Sequence, residues 1–283
     1  MIYISSSGFG RKKIREILNA CLHAGWRNIE LSGGSVPYPA IENDLTYFQK
    51  KHDFKFIIHN YFPPPDNDFL MNLASLNDTI YSQSMNQALL SIDLAKKLQI
   101  KKLSFHAGFL LDFSINELGN KIIHKTLFSI EDALFRFFSS VERIQNYAGK
   151  DITVYFENNV FSHDNKLNFP DQKPFLLTNS DDYFSYVQKI PFNLLLDIGH
   201  LHVSCKTEQR SFHDEMKVLL TVTDYLHISD NNGMRDSHDS ISLDGQIYRE
   251  LQKADLSGKT MTLELHRETD IQETHMIIRN LIS

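Results

Sequence analysis

Residues 193–200 read NLLLDIGH, three consecutive leucines followed by Asp197, Ile198, Gly199 and His200. An apolar run this short, bounded by polar residues, reads as a strand buried on both faces, the kind from which parallel sheets are built. It ends on an acid and an imidazole, groups that are costly to bury without a partner. The same signature recurs as KFIIH at Lys55–His59, KLSFH at Lys102–His106, TVYFE at Thr153–Glu157 and TLE at 262–264. Five apolar runs that each close on His, Asp or Glu decide the reading, because in a parallel barrel every strand delivers its C-terminal end to one face.

Working outward, Ile2–Ser5, Asn28–Leu31 and Tyr225–Ile228 complete a set of eight strand candidates. Helical periodicity runs between them at 12–23, 83–98, 130–147, 181–188, 212–220, 247–253 and 271–281. Eight βα alternations without a Pro- or Ser-rich linker predict an α/β fold, one (β/α)8 TIM barrel over residues 1–283, rather than an open doubly wound sheet. The glycines of 6–10 and the Gly33, Gly34 pair are too sparse for a dinucleotide fingerprint, so no nucleotide cofactor is expected. Two turn-rich loops, 62–68 with three consecutive prolines and 161–174, follow strands on the catalytic side and are expected to shape a cleft.

The composition, 42% hydrophobic and 23% charged over 283 residues, fits a globular chain with a large core. Its two cysteines, Cys21 and Cys205, lie in separate segments and read as core residues rather than a disulfide or a zinc knuckle. No signal-like N-terminus and no apolar run of membrane-spanning length is visible, which makes a cytoplasmic protein without a membrane partner the expectation. The formal charge of −6 argues against a broad nucleic-acid footprint. No oligomeric state is read from the sequence.

Nine donors stand out: His59, His106, Glu157, Asp197, His200, His227, Asp236, His238 and Glu264. Imidazole and carboxylate ligands delivered to one rim suit transition-metal ions, and more than one of them. Asp197 and His200 are spaced so that one turn after the strand can place them on the same side, and Asp236 and His238 are alternate positions of an extended loop. His23, His52, His124, His163, His202, His213, His266 and His275 fall outside the pattern and read as structural or solvent residues. Asn60, Tyr61 and Asn158 adjoin ligands and are candidates to orient substrate; Arg235 and Arg267 are candidates to meet a phosphate.

From about Phe54 to Glu264 the chain resembles the endonuclease IV family, within the wider superfamily of xylose isomerase-like barrels. The resemblance is carried by H-x-Y at residues 59–61, N-L-A-S at 72–75, F-H-x-G at 105–108, E-N at 157–158, D-x-x-H at 197–200, H-x-x-D at 227–230, D-x-H at 236–238 and Glu264. It implies a trinuclear zinc site with all nine donors as ligands, Glu157 bridging two ions, and phosphoester hydrolysis. The chain departs from that family after strand two, where it has LSGGSVPY at 31–38, at Ser237, where Arg is expected, and at 240–245, SISLDG. These departures weigh against DNA and toward a smaller phosphoester such as a sugar phosphate.

Strand two, Asn28–Leu31, is instead similar to the sugar isomerases and epimerases of the same superfamily. Their resemblance implies one divalent cation, Mn2+ or Mg2+, held by Glu157, Asp197, His227 and Glu264, with Glu157 and Glu264 moving a proton through an enediol-like intermediate. Three cations against four carboxylates would leave a local charge of about +2, suited to a phosphate ester; one against three leaves about −1, suited to a neutral sugar. A barrel that keeps its ligands but only binds is the third reading.

Overall fold

The structure, a computed structural model, describes residues 1–117, 121–123 and 126–282. Eight parallel strands close into a barrel in chain order. They are β1 (Ile2–Ser5), β2 (Asn28–Leu31), β3 (Lys55–His59), β4 (Lys102–His106), β5 (Thr153–Glu157), β6 (Asn193–Asp197), β7 (Tyr225–Ile228) and β8 (Thr260–Leu263). The helices are α1 (Ile14–His23), α2 (Ile41–His52), α3 (Asp78–Leu98), α4 (Ile130–Ala148), α5 (His163–Asn168), α6 (Ser180–Val187), α7 (Ile198–Glu208), α8 (Phe212–Leu219), α9 (Gln246–Lys253) and α10 (Glu268–Leu281). The expected (β/α)8 barrel is the fold found. Its last strand starts two residues earlier than expected and stops at Leu263, so Glu264 lies just beyond it.

Local chemistry starts several of these helices. Asn77, Ser129, Ser162, Asn179 and Ser211 each accept a backbone N–H from the first turn that follows them, which satisfies donors a helix start leaves unpaired. Among the described residues, no helix is long and apolar enough to cross a membrane.

Alternation along the strands positions the site. Outward-facing residues such as Ile58, Phe105, Phe156, Leu196 and Leu226 join the helices in one large core. Inward-facing Tyr3, Ile57, Tyr155, Leu195 and Tyr225 form a separate layer across the barrel. Two residues further along, on the same inward face, stand His59, Glu157, Asp197 and His227. The apolar layer is the floor and the donors are the next storey.

A third apolar cluster lies above the barrel: Leu70, Phe109, Leu111, Ile122, Phe161, Phe169 and Phe175. It joins the segments after β3, β4 and β5 into a cap. Phe109 and Phe175 pair as an antiparallel bridge, with Leu110 N donating to Pro174 O at 2.7 Å. Asn72 binds the cap to the barrel: its side-chain NH2 donates to Phe109 O and Leu111 O, and its oxygen accepts from Phe109 N. Gly108 makes this approach possible, since a Cβ there would stand 3.1 Å from Ala74 and Asn72, on a backbone with φ near +104°. Loop 161–174, read from the sequence as irregular, contains α5 and belongs to this cap. The proline loop at 62–68 lines shallow surface grooves and not the central cavity.

Candidate metal centre

Strand pairing sets the first contacts. Asp197 is opposite His227, His106 opposite Glu157, and His59 opposite Ser104. Glu157 stands at the middle with its side chain 1% exposed. Its Oε2 is 2.9 Å from His106 Nε2 and 3.3 Å from His59 Nε2; its Oε1 is 3.3 Å from His227 Nδ1 and 3.7 Å from His200 Nδ1. Neither oxygen receives a well-directed hydrogen bond, and Asp197 Oδ2 and Asp236 Oδ1 are likewise buried without one. Lone pairs brought together at this spacing are what ligands around shared cations present, because donor atoms about 2.1 Å from an ion stand roughly 3–4 Å apart.

Three groupings follow from the distances: His59, Glu157 and His227; Glu157, Asp197, His227 and Glu264; and His200, Asp236 and His238, with ligand atoms in each within 4.8 Å of one another. In the last, Asp236 Oδ2 lies 3.1 Å from His200 Nε2 and 2.8 Å from His238 Nε2. The structure therefore brings all nine donors to one place, His106 through its contact with Glu157.

Four of the five donor imidazoles are turned by a partner behind them. His59 Nδ1 meets Ser104 Oγ at 2.9 Å, His200 Nδ1 meets the Asn158 carbonyl at 2.8 Å, and His238 Nδ1 meets the Glu264 carbonyl at 3.1 Å. An Nδ1–H given to these oxygens leaves the Nε2 lone pair facing inward. His227 is reversed: its Nε2 faces Glu30 Oε2 at 2.9 Å, and Nδ1 faces the centre. Glu30, wholly buried, also accepts from the Thr262 hydroxyl at 2.9 Å and from the Tyr225 hydroxyl.

Asp197 serves twice. Its Oδ1 accepts His200 N at 2.7 Å as the N-cap of α7, while Oδ2 faces the centre. The D-x-x-H spacing is thus a helix start that aims both donors. Gly199 between them lets the chain pass Ser229, whose Oγ would lie 2.8 Å from any added Cβ.

Without cations the site balances itself with protons. Burial pushes the Asp197 carboxyl up to about 6. Burial works against ionised Glu157, but the imidazoles of His106, His59 and His227 outweigh it and hold the carboxyl well below its usual range. Burial also opposes charge on His200, His227 and His238. Nearby carboxylates nevertheless raise all three, chiefly Asp197 for His200, Glu30 for His227 and Asp236 for His238, which is pushed up to about 10. Burial lowers the His59 imidazole below its usual value, against the opposing pull of Glu157. Divalent cations would take the place of these protons, and the mixed nitrogen and oxygen set fits zinc or a similar ion.

The donors open on a cavity of about 320 Å³. His59, His106, His200, Asp236, His238 and Glu264 line it; Glu157, Asp197 and His227 lie beneath and do not. Asn60 and Tyr61 are on its wall. Asn158 is not: its side chain accepts from Asp197 N and donates to Asp197 O, tying β5 to β6. Arg235 is exposed, and Arg267 pairs with Asp270 at 2.6 Å; neither lines the cavity. His202 bonds Asn231 and Gln246, a structural role, and His124 lies outside the described residues. The sequence reading passed over His266, which lines the cavity with its ring 4.5 Å from that of His238, and Glu30, whose signal was an acid inside an apolar strand.

Residues 18–281 match the model of a family described as xylose isomerase-like TIM barrel. Among solved structures, a D-tagatose 3-epimerase-like protein superposes with a TM-score of 0.71 at 15% identity, covering 99% of this chain and 96% of that one. D-psicose 3-epimerase from Clostridium cellulolyticum, solved with D-tagatose, gives 0.68 at 12% over 100% and 99%. Endonuclease IV from Thermus thermophilus gives 0.61 at 14% over 99% and 97%. At such identities the likeness is one of fold. No curated protein matches the chain by sequence.

Proposed function

This chain belongs to the xylose isomerase-like TIM barrel family, and from that premise we propose a metal-dependent hydrolase of small phosphoesters that works with up to three divalent cations, zinc foremost. One observation carries the reading: both oxygens of Glu157 are enclosed by imidazoles on two sides, and Glu157 is sealed from the cavity. A carboxylate so placed would be held in common by two cations. An epimerase would need it to exchange a proton with the substrate.

In this reading His59 and His106 with Glu157 hold one ion, Glu157, Asp197, His227 and Glu264 a second, and His200, Asp236 and His238 a third. Bound cations would supply Lewis acidity, drawing charge from phosphoryl oxygens and acidifying a water. Glu264, on the cavity wall beside His227, takes the proton from water as its oxygen bonds to phosphorus and the ester P–O bond breaks. That proton then goes to the departing oxygen. Asn60 and Tyr61 orient the ester. The phosphate charge is met by the cluster, since Arg235 and Arg267 stand away from it.

The runner-up is a sugar or sugar-phosphate epimerase using one Mn2+ or Mg2+. Grouping of Glu157, Asp197, His227 and Glu264 within 4.8 Å favours it. Elemental analysis separates the two. Protein purified without chelator should carry about three ions per chain and His238→Ala about two; a single ion, indifferent to His238→Ala, rejects the hydrolase in favour of the epimerase.

A further inference from the structure

The cavity has two unlike sides. Toward the barrel stand polar donors; toward the cap stand Phe109, Phe113, Ile122, Val160 and Phe175, with Glu117, Asn159, Ser162 and Asn165 as polar neighbours around this apolar wall. The three phenylalanine rings meet edge to face, Phe109 with Phe113 at 5.1 Å, Phe109 with Phe175 at 5.7 Å and Phe113 with Phe175 at 6.5 Å. Phe109 and Phe175 are fixed by the cap's own packing and by backbone bonds from Leu110 N to Pro174 O and from Leu176 N to Gly108 O. Phe113 is only half-buried and packs at the edge of that cluster. This wall stands ready before any ligand enters.

Two further observations limit what fits. About 320 Å³ is at the small end of small-molecule sites, which run from roughly 300 to 1,000 Å³. Among the described residues no lysine or arginine lines the cavity, so a second anionic group held away from the donor cluster would lose water and gain no cationic partner there.

We infer that the substrate is a phosphoester whose other half is uncharged, ring-sized and apolar on at least one face, with its phosphate on the donor cluster and its apolar face against Phe109, Phe113 and Phe175. This rests on the hydrolase reading and narrows it. Sugar bisphosphates, nucleoside polyphosphates and duplex DNA fall outside the class: the first two carry a second charge, and the third does not fit the volume.

Isothermal titration of the metal-loaded protein with phenylphosphonate and methylphosphonate, which bind without being cleaved, tests it. Phenylphosphonate should bind at least about tenfold more tightly, the effect of burying part of one ring. In Phe113→Ala most of that preference should vanish while the unfolding midpoint stays near the parent's, because Phe113 is at the cluster's edge. Equal affinity for the two ligands would overturn the inference and leave the hydrolase reading standing. An undiminished preference in Phe113→Ala would remove the assigned wall. Failure of both phosphonates to bind protein shown to carry its metals would reject the hydrolase reading beneath it.

Discussion

Two groups of donors meet at Glu157, and they are built differently. The inner group, Glu157, Asp197 and His227 with Glu264 one residue past β8, is strand-borne; its first three side chains are 1% exposed or less. The outer group takes His200 from the first turn of α7 and Asp236 and His238 from a loop. That loop is closed by mutual backbone bonds of Asp230 and Asp239 at 2.9 and 2.8 Å, and by Ser242 N donating to Asp230 Oδ2. His238 sits in the left-handed backbone region at φ near +48°, a conformation held only where surroundings demand it. Register fixes the inner group once the barrel closes, whereas the outer group depends on a handful of loop and capping bonds. The inner ions should therefore be the tighter ones.

The most damaging way to test that contrast is Glu157→Ala, which takes the common ligand from the two ions of the strand-borne donors and leaves His200, Asp236 and His238 in place. Hydrolysis should cease and bound metal fall from about three ions to about one. The metal-free variant should lose about 3 kcal/mol in urea unfolding, since its imidazoles lose their central counter-charge. Retention of all ions would break the comparison.

A change confined to the inner side is Glu30→Gln. The amide replaces the carboxylate behind His227, and supporting groups of this kind contribute about 10–100-fold to metal affinity. Chelator competition should show the tightest ion weakened by that factor and the loosest unmoved. Equal weakening of both would show that the groups do not act separately.

The smallest effect is on the outer side and appears with pH. Burial opposes charge on His238, but Asp236 raises it from the usual 6.5 to about 10. A raised imidazole contributes its full stability below the unfolded value and loses it as pH climbs through the folded one. The metal-free protein should therefore melt at progressively lower temperature between about pH 7 and pH 10, and in His238→Ala this slope should flatten. The loaded protein should not show it, because its ions have already displaced those protons. Metal uptake near pH 8 should correspondingly release protons into weakly buffered solution.

The barrel was legible in the sequence because its strands are short apolar runs cut off by donors, a pattern that survives without knowledge of any contact. Five of the nine donors, His59, His106, Glu157, Asp197 and Glu264, were legible for the same reason, since a buried strand has little other use for a terminal imidazole or acid; His200, His227, Asp236 and His238 were legible through the D-x-x-H, H-x-x-D and D-x-H motifs. Glu30 was not, since it lies within a strand rather than at its end, and its role comes from Tyr225, Thr262 and His227, residues about 200 positions away. His266 follows β8 by three residues and is placed by ring contact with His238, which no spacing announces. Of the cap only 161–174 was read, as a turn-rich loop, because its apolar residues, from Leu70 to Phe175, are scattered over three segments and form a core only when those segments meet. Arg235 and Arg267 seemed suited to phosphate by position near the rim, but Arg267 turns back to Asp270.

That second core has an evolutionary consequence. A roof with apolar packing of its own, pinned to the scaffold through Asn72 and through Ser75 donating to Asp112, behaves as an exchangeable cassette. Insertions or replacements there would redirect what the cavity admits while the donor storey beneath is inherited unchanged, a route by which one scaffold diversifies.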